Sequence, residues 1–241
     1  MYRKLVLLVI LFLVLTVPSL ASNGTPKIGE TLEYKLIAKS VIHVGNQKIV
    51  VVGREKFNGH DVYRVRSTMD TIGMVKSISG YSETEELLID AHGMFPRYLK
   101  RVEIEKDGKD IEEVTFDYDK RVAIRLLSKN GGPSERTEIP LPAYVQAGLS
   151  LQYFFRYTAL KEGPNKMFYY SNGKIDEYNY VVTKSTSPLK IDTGTYSKYY
   201  TINNKVKAIT IFIADNEERY PLIVCKIGKI GKVEAKLTKI N

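Results

Sequence analysis

From Gly29 onwards, apolar and polar residues alternate with a period of two, the spacing of strands whose side chains point to opposite faces. Within residues 31–44, Leu32, Tyr34 and Leu36 share one face, and Glu33 and Lys35 the other. A strand over 48–57 carries the continuous apolar run Ile49-Val50-Val51-Val52, and Val62 and Val65 lie on the strand that returns. Asn58-Gly59, Asp107-Gly108 and Asn172-Gly173 each separate two alternating segments, and these residue types tolerate the positive φ of tight hairpins. The closing stretch, 207–237, predicts a three-stranded meander. Ile209, Ile211 and Ile213 share a face of its first strand. Asp215-Asn216-Glu217-Glu218 then turns the chain into a strand over 220–227, and Gly228-Lys229-Ile230-Gly231 turns it again. In the third strand Val233, Ala235 and Leu237 alternate with Lys232, Glu234 and Lys236, so the Ile and Val/Ala/Leu sets face one interior, with Leu222 and Val224 between them.

One stretch breaks this rhythm. Val145, Leu149, Tyr153 and Phe154 recur at helical spacing, Pro142 suits a helix start, and Lys161-Glu162-Gly163-Pro164 ends the segment. The spacing predicts one amphipathic helix of about 14 residues near 143–158. An antiparallel sheet of about ten strands either curls or splits into layers. Strands such as 209–213 and 222–227 are apolar on both faces, so a helix must cover the second face or the sheet must curl around an apolar interior. The expected fold is mainly β, an antiparallel meander forming an open or partly closed barrel, with the helix at its mouth.

The N-terminus changes the compartment. Arg3 and Lys4 precede an uncharged apolar run over 5–17, and Ser19 and Ala21 place small residues at minus three and minus one of a cleavage site after Ala21. That is the layout of a secretory signal peptide. The expected organisation is a signal peptide over 1–21 and one β-rich domain over 22–241, located in the periplasm or outside the cell. Cys225 is the single cysteine, so no internal disulfide forms, and its apolar strand marks it as a buried, inert thiol. The net charge of +9 falls to +7 without Arg3 and Lys4, and it is spread among acidic residues. No basic cluster is interleaved with aromatics as a nucleic-acid site requires, and export argues separately against such a partner. Weak attraction to anionic membranes or cell-wall polymers fits this charge better.

Several short motifs then resemble a known family. They are Gly29-Glu30-Thr31-Leu32-Glu33-Tyr34, Asp90 with Gly93-Met94-Phe95-Pro96, Phe116-Asp117, Ser150-Leu151-Gln152-Tyr153-Phe154-Phe155-Arg156, and Asp192-Thr193-Gly194-Thr195-Tyr196. The closing meander adds Ile211-Phe212-Ile213-Ala214-Asp215 and Arg219-Tyr220-Pro221-Leu222. Together they resemble a bacterial exported family catalogued as domain of unknown function 3108. Two departures stand out. Phe212 takes the place of the family's usual tryptophan, and Gln146-Ala147-Gly148 stands where an acidic residue often precedes the helix. The resemblance implies an envelope protein with a β-rich fold similar to the open barrels of periplasmic lipoprotein carriers, and it supplies no catalytic residues.

No motif in the chain names a reaction. His43, His60 and His92 are far apart and read as surface or turn histidines rather than metal ligands. The acidic run Glu83, Glu85, Glu86 and Asp90 reads as a solvated strand edge, since a calcium loop needs a glycine-centred pattern. Asp215 and Arg219 can pair across their turn and, with Pro221, pin the hairpin. An acid/base role for Asp215 lacks a second catalytic group. The expected function is a non-enzymatic binding or carrier module, without cofactor or metal, for a lipid or lipidated partner inside the curled sheet. Tyr153, Phe154, Ile211, Phe212, Tyr178 and Tyr180 are its candidate ligand-binding residues. The alternatives are an envelope structural or interaction protein with a solid core, and a glycan-binding protein using surface tyrosines.

Overall fold

A computed structural model describes residues 24–206, 208–228 and 231–241. The expected signal peptide and the turn residues Lys229 and Ile230 lie outside the described residues. The chain opens with β1 (Thr31–Ala38), β2 (Ile42–Phe57), β3 (His60–Thr71), α1 (Gly73–Ser79) and β4 (Ser82–Asp90). It continues through β5 (Pro96–Glu105), β6 (Gly108–Asp117), β7 (Val122–Ser128), β8 (Glu135–Pro140), β9 (Val145–Ala147) and α2 (Ser150–Tyr157). Next come β10 (Gly163–Ser171), β11 (Lys174–Ser185), β12 (Leu189–Ile191) and β13 (Gly194–Tyr196). It closes with β14 (Tyr199–Asn204), β15 (Ile209–Ala214), β16 (Pro221–Gly228) and β17 (Gly231–Ile240).

All strands but β12 and β13 form one sheet, in the order β8-β7-β6-β5-β4-β3-β2-β1-β17-β16-β15-β14-β11-β10-β9. Within it β9–β10 is parallel and every other described pairing is antiparallel. The sheet curls without closing its ladder: β8 and β9 remain its edges, and β9 comes back against β5. Side chains bridge that seam, with the Tyr170 ring edge-on to Phe116 at 5.5 Å. This is the expected open barrel.

The helix sits inside the curl and divides the core. Leu36, Ala235, Val224, Ile211, Ile202 and Val182 are successive lateral partners across β1, β17, β16, β15, β14 and β11, so they share the inner face. The inner Ile211, Ile213 and Ile202 pack with Tyr178, Tyr180 and Val182 against Leu151 and Phe155 of α2. Tyr153 and Tyr157, also on α2, enter the larger cluster built on β1 to β7. Phe212 and Ile223 lie on the opposite face, in the row that runs on to Lys236 and Lys35. The β12–β13 hairpin covers that outer face: Leu189, Ile191 and Tyr196 pack on the core, and the Lys35 Nζ is 3.1 Å from Asp192. Both faces of the closing meander are thus buried, one by a helix and one by a hairpin. Leu222 is fully buried in the larger cluster, and the register shift at Phe212/Ile213 leaves it opposite no residue of β15.

Several expectations need correction. The segment 143–158 is not one helix. Val145–Ala147 forms an edge strand, Gly148 turns at φ +49, and α2 runs only from Ser150 to Tyr157. A Cβ on Gly148 would collide with the Glu85 carboxylate, whose Oε1 accepts the Leu149 N–H at 2.9 Å. Asn58-Gly59 and Asn172-Gly173 are hairpin turns with both φ values positive. At the third hairpin the turn residues are Lys106 and Asp107, and Gly108 already belongs to β6. Gly108 has no positive φ, so the turn does not require glycine there; a Cβ would only displace the end of the exposed Asn130 side chain. The strand expected over 31–44 is interrupted at Lys39 and Ser40, both of positive φ. α1 was not expected, since none of its residues is buried and no apolar periodicity marks it.

Candidate functional site

At one end of the barrel, three segments far apart in sequence enclose a cleft of about 620 Å³. They are the N-terminal stretch 24–30, the last turn of α2, and the β15–β16 loop over 215–219. An ion pair forms its floor. The Arg156 Nη1 and Nη2 donate to Glu30 Oε1 and Oε2 at 2.6 and 2.9 Å, and Nε donates to the Glu218 carbonyl at 3.2 Å. The two side chains are only 2% and 4% exposed. Three rings surround the guanidinium, with Tyr220 at 4.8 Å, Tyr157 at 4.9 Å and Tyr153 at 5.8 Å from Cζ. Burial opposes the Arg156 charge, yet the Glu30 hydrogen bond and the neighbouring tyrosines raise its pKa. The same burial pushes the hydroxyls of Tyr153, Tyr157 and Tyr34 upward. The floor therefore pairs an arginine whose charge is reinforced with the Glu30 carboxylate, beneath tyrosine hydroxyls moved further from neutrality.

Backbone bonds fix the walls. The Glu30 N–H donates to the Lys27 carbonyl at 3.0 Å, and Val51 N–H to the Glu30 carbonyl at 3.0 Å, which ties the N-terminal stretch to β2. The Tyr34 hydroxyl donates to the Pro221 carbonyl at 3.0 Å, linking β1 to the start of β16. Across the loop, Ala214 N–H donates to the Tyr220 carbonyl at 3.0 Å. Arg219 turns at φ +47, and its Nη1 donates to the Thr158 carbonyl at 2.8 Å, capping α2. Asp215 pairs with the Lys184 Nζ at 2.8 Å; that bond, with a smaller contribution from Arg219, holds its carboxyl below the usual range. Lys27 and Glu217 stand exposed on two different lining segments, so the cleft presents charge of both signs to a ligand.

The candidate ligand-binding residues do not come together there. Tyr153 is buried beneath the floor, and Phe154 packs half-buried between the two clusters. Ile211, Tyr178 and Tyr180 pack on one another and on Phe155, and Phe212 faces the β12–β13 hairpin side. None of these six lines the cleft. Tyr178 does carry one anomaly: its buried hydroxyl has no hydrogen-bond partner among the described residues. Asp215 and Arg219 do line the cleft, and Pro221 supports it through Tyr34. His43 and His92 are exposed and His60 is half-buried, in separate turns and strand ends. Cys225 is buried, its thiol pushed up to about 11 by burial, with Glu234 beside it.

Sequence reasoning missed Glu30 and Arg156 as partners, because they are 126 positions apart. It also took Glu83 and Glu85 for a solvated edge, which the structure corrects. Glu85 and Glu112 are buried on the inner face, in a row with Ser67 and Arg101 that continues from β3 to β6. The Arg101 Nη2 donates to Glu85 at 2.7 Å, and Glu112 Oε1 accepts from Arg125 Nε at 2.6 Å and the Tyr170 hydroxyl at 2.8 Å. This network closes the barrel seam and caps α2. It thereby supplies the acidic residue that is absent from the helix's own lead-in.

A family model described as "Protein of unknown function (DUF3108)" matches residues 31–238. The chain belongs to that family. The DUF3108 match spans almost every described element, from β1 to β17. Three of the motifs that carried the resemblance, around Glu30, Arg156 and Asp215–Tyr220, meet at the cleft. Among solved structures, this DUF3108 chain is similar to a crystal structure titled as a beta-barrel-like protein of domain of unknown function DUF1849 from Brucella abortus. The TM-score is 0.51 at 10% identity, over 89% of this chain and 97% of that one, a likeness of fold alone. No curated protein matches the sequence.

Proposed function

We propose that this chain is an exported, non-enzymatic protein of the cell envelope that works by binding at its polar cleft, not by enclosing a lipid. One observation carries the reading. The 620 Å³ cleft falls in the size range of small-ligand sites, about 300–1,000 Å³, whereas the residues expected to form an apolar pocket are divided between two packed clusters and the outer face. Export rests on the N-terminal pattern of Arg3, Lys4, the apolar run and Ala21. A ligand suited to exposed Lys27 and Glu217 above a buried ion pair is polar and bears charge of both signs. Among envelope molecules, a cell-wall polymer with amines and carboxylates on its peptide stems has that chemistry.

The test is co-sedimentation of the purified protein with cell-wall sacculi, beside native mass spectrometry of the protein taken from its own envelope. Binding that weakens about tenfold in Lys27→Glu and in Glu217→Lys supports the reading. One lipid held per chain through purification overturns it in favour of a carrier, and sacculus binding indifferent to both substitutions overturns it as well.

A further inference from the structure

The end of the barrel opposite the cleft carries hairpin turns and one helix that are tied together. In the β1–β2 turn, Lys39 N–H donates to the Lys232 carbonyl at 3.1 Å. The Ile227 N–H of β16 donates to the Ala208 carbonyl of the β14–β15 turn at 3.0 Å, and the Ile72 N–H ahead of α1 to the Val44 carbonyl of β2 at 3.0 Å. These bonds bring Val41, Ile42, Met74, Ile78, Val206 and Ile227 to one rim. All six are exposed, from 50% at Ile42 to 86% at Val206. Single exposed hydrophobic residues are ordinary, but six on one rim form a patch of the kind that marks an interaction surface.

The segments that carry the apolar tips bear basic residues and no acidic ones. Exposed Lys39, Lys76, Lys205 and Lys226 alternate with the apolar tips, and segments 39–42, 73–79, 205–206 and 226–228 contain no Asp or Glu. Of the nearby acids, Glu234 is held by Lys232 at 2.5 Å and Lys236 at 3.0 Å. Asp70 sits at the end of β3. Glu105 and Asp107 bound the patch beyond α1, where Lys106 N–H meets the Ser79 carbonyl at 2.9 Å.

We propose that this rim docks onto an anionic lipid bilayer, with the apolar tips entering the headgroup boundary and the lysines meeting lipid phosphates. Apolar side chains among basic ones are the composition of interfacial membrane contacts, and positive charge is what an anionic leaflet attracts. A second copy meeting the first through the same rim would oppose like charges, so the bilayer is the better occupant.

The chain contains no tryptophan, which makes a single introduced indole a clean reporter. Ile78→Trp places one on the rim, and Tyr144→Trp places one at the other end of the barrel, at a side chain 63% exposed. Adding vesicles of phosphatidylcholine with phosphatidylglycerol shifts the Ile78→Trp emission to shorter wavelength and leaves Tyr144→Trp unmoved. In vesicle sedimentation, replacing Lys39 or Lys76 by Gln weakens partitioning about fivefold each. Met74→Ser with Ile78→Ser weakens it more than tenfold. The proposal is overturned if neither reporter shifts, or if both do, as they would if the N-terminal apolar run made the contact. It is equally overturned if neutral phosphatidylcholine vesicles bind as well, or if the Ile78→Trp shift follows protein concentration without lipid, the sign of a second copy.

Discussion

At the cleft end of the barrel, charge is buried and paired; at the α1 end, apolar side chains stand in water. Arg156 and Glu30 lie almost wholly inside, ringed by Tyr153, Tyr157 and Tyr220, whereas Met74 and Val206 are 78% and 86% exposed. Each end breaks the ordinary rule of burial in its own direction. At the cleft end the exception has structural force. A bidentate pair on the last turn of α2 fixes the helix's rotation against β1, a positional task that a greasy contact would perform less specifically. At the α1 end the exposed residues touch little, so they add almost nothing to folding and are free to serve a surface. Stability and surface binding should therefore separate cleanly by mutation.

The sharpest way to break the comparison is at the ion pair. Arg156→Ala or Glu30→Ala should cost about 3–5 kcal/mol in denaturant unfolding, because each leaves the other charge buried and unpaired. Replacing both together by Met should recover most of that loss. If the single substitutions cost under about 1 kcal/mol, the pair is solvated and the cleft has no rigid floor. Next comes Ile211→Ala, expected to cost about 2–5 kcal/mol as a large aliphatic removed from a packed core. A cost well under 1 kcal/mol would mean that the space beside α2 is already empty.

Glu83 tests the α1 end from inside. Burial raises its pKa, with Arg101 working against the shift and Tyr81 donating at 3.0 Å. A carboxyl whose folded pKa exceeds its unfolded value, about 4.3, binds protons more tightly when folded. Its contribution to stability is greatest below the unfolded pKa and declines as pH rises through the folded one. Glu83→Gln should remove that slope above pH about 4.3 and leave stability at neutral pH equal or higher. Thermal melts across that window check it; an unchanged slope assigns the titration elsewhere. The smallest expected effect is at Met74→Ser with Ile78→Ser, which should move stability by no more than about 0.5 kcal/mol. A larger loss would make the rim part of the fold, contrary to its exposure.

What could be read in the sequence follows from how local the signal is. Asn58-Gly59 and Asn172-Gly173 announce their turns because the backbone angles are a property of those two residues. The alternation around Ile211 predicts an inner face because lateral partners in a sheet share faces. The helix boundary fails for the opposite reason. Gly148 and the strand before it are dictated by Glu85, on a strand 64 positions away. The cleft is hidden likewise, since Glu30 looks like any polar residue opening a strand. Only an arginine set within Leu151-Gln152-Tyr153-Phe154-Phe155-Arg156-Tyr157 hints that the helix carries a buried charge. The outer hairpin, β12–β13, leaves no period to detect in two strands of three residues.

The pairing of β1 with β17 also governs the order of assembly in time. The first strand of the sheet finds one of its two neighbours in the last, with Thr31 and Asn241 exchanging both backbone bonds at 2.9 and 3.0 Å. Until β17 is available, β1 presents an open edge, and the aromatic floor built on Glu30 lacks the curled sheet that surrounds it. Contacts between such distant positions form slowly, because the intervening loop must close before they contribute. A chain emerging from its N-terminus can form the β2-to-β7 hairpins as they appear, but the barrel and its cleft form last and together. Any chain stopped before residue 231 would expose β1 and β16 as unpaired edges, ready to join another chain.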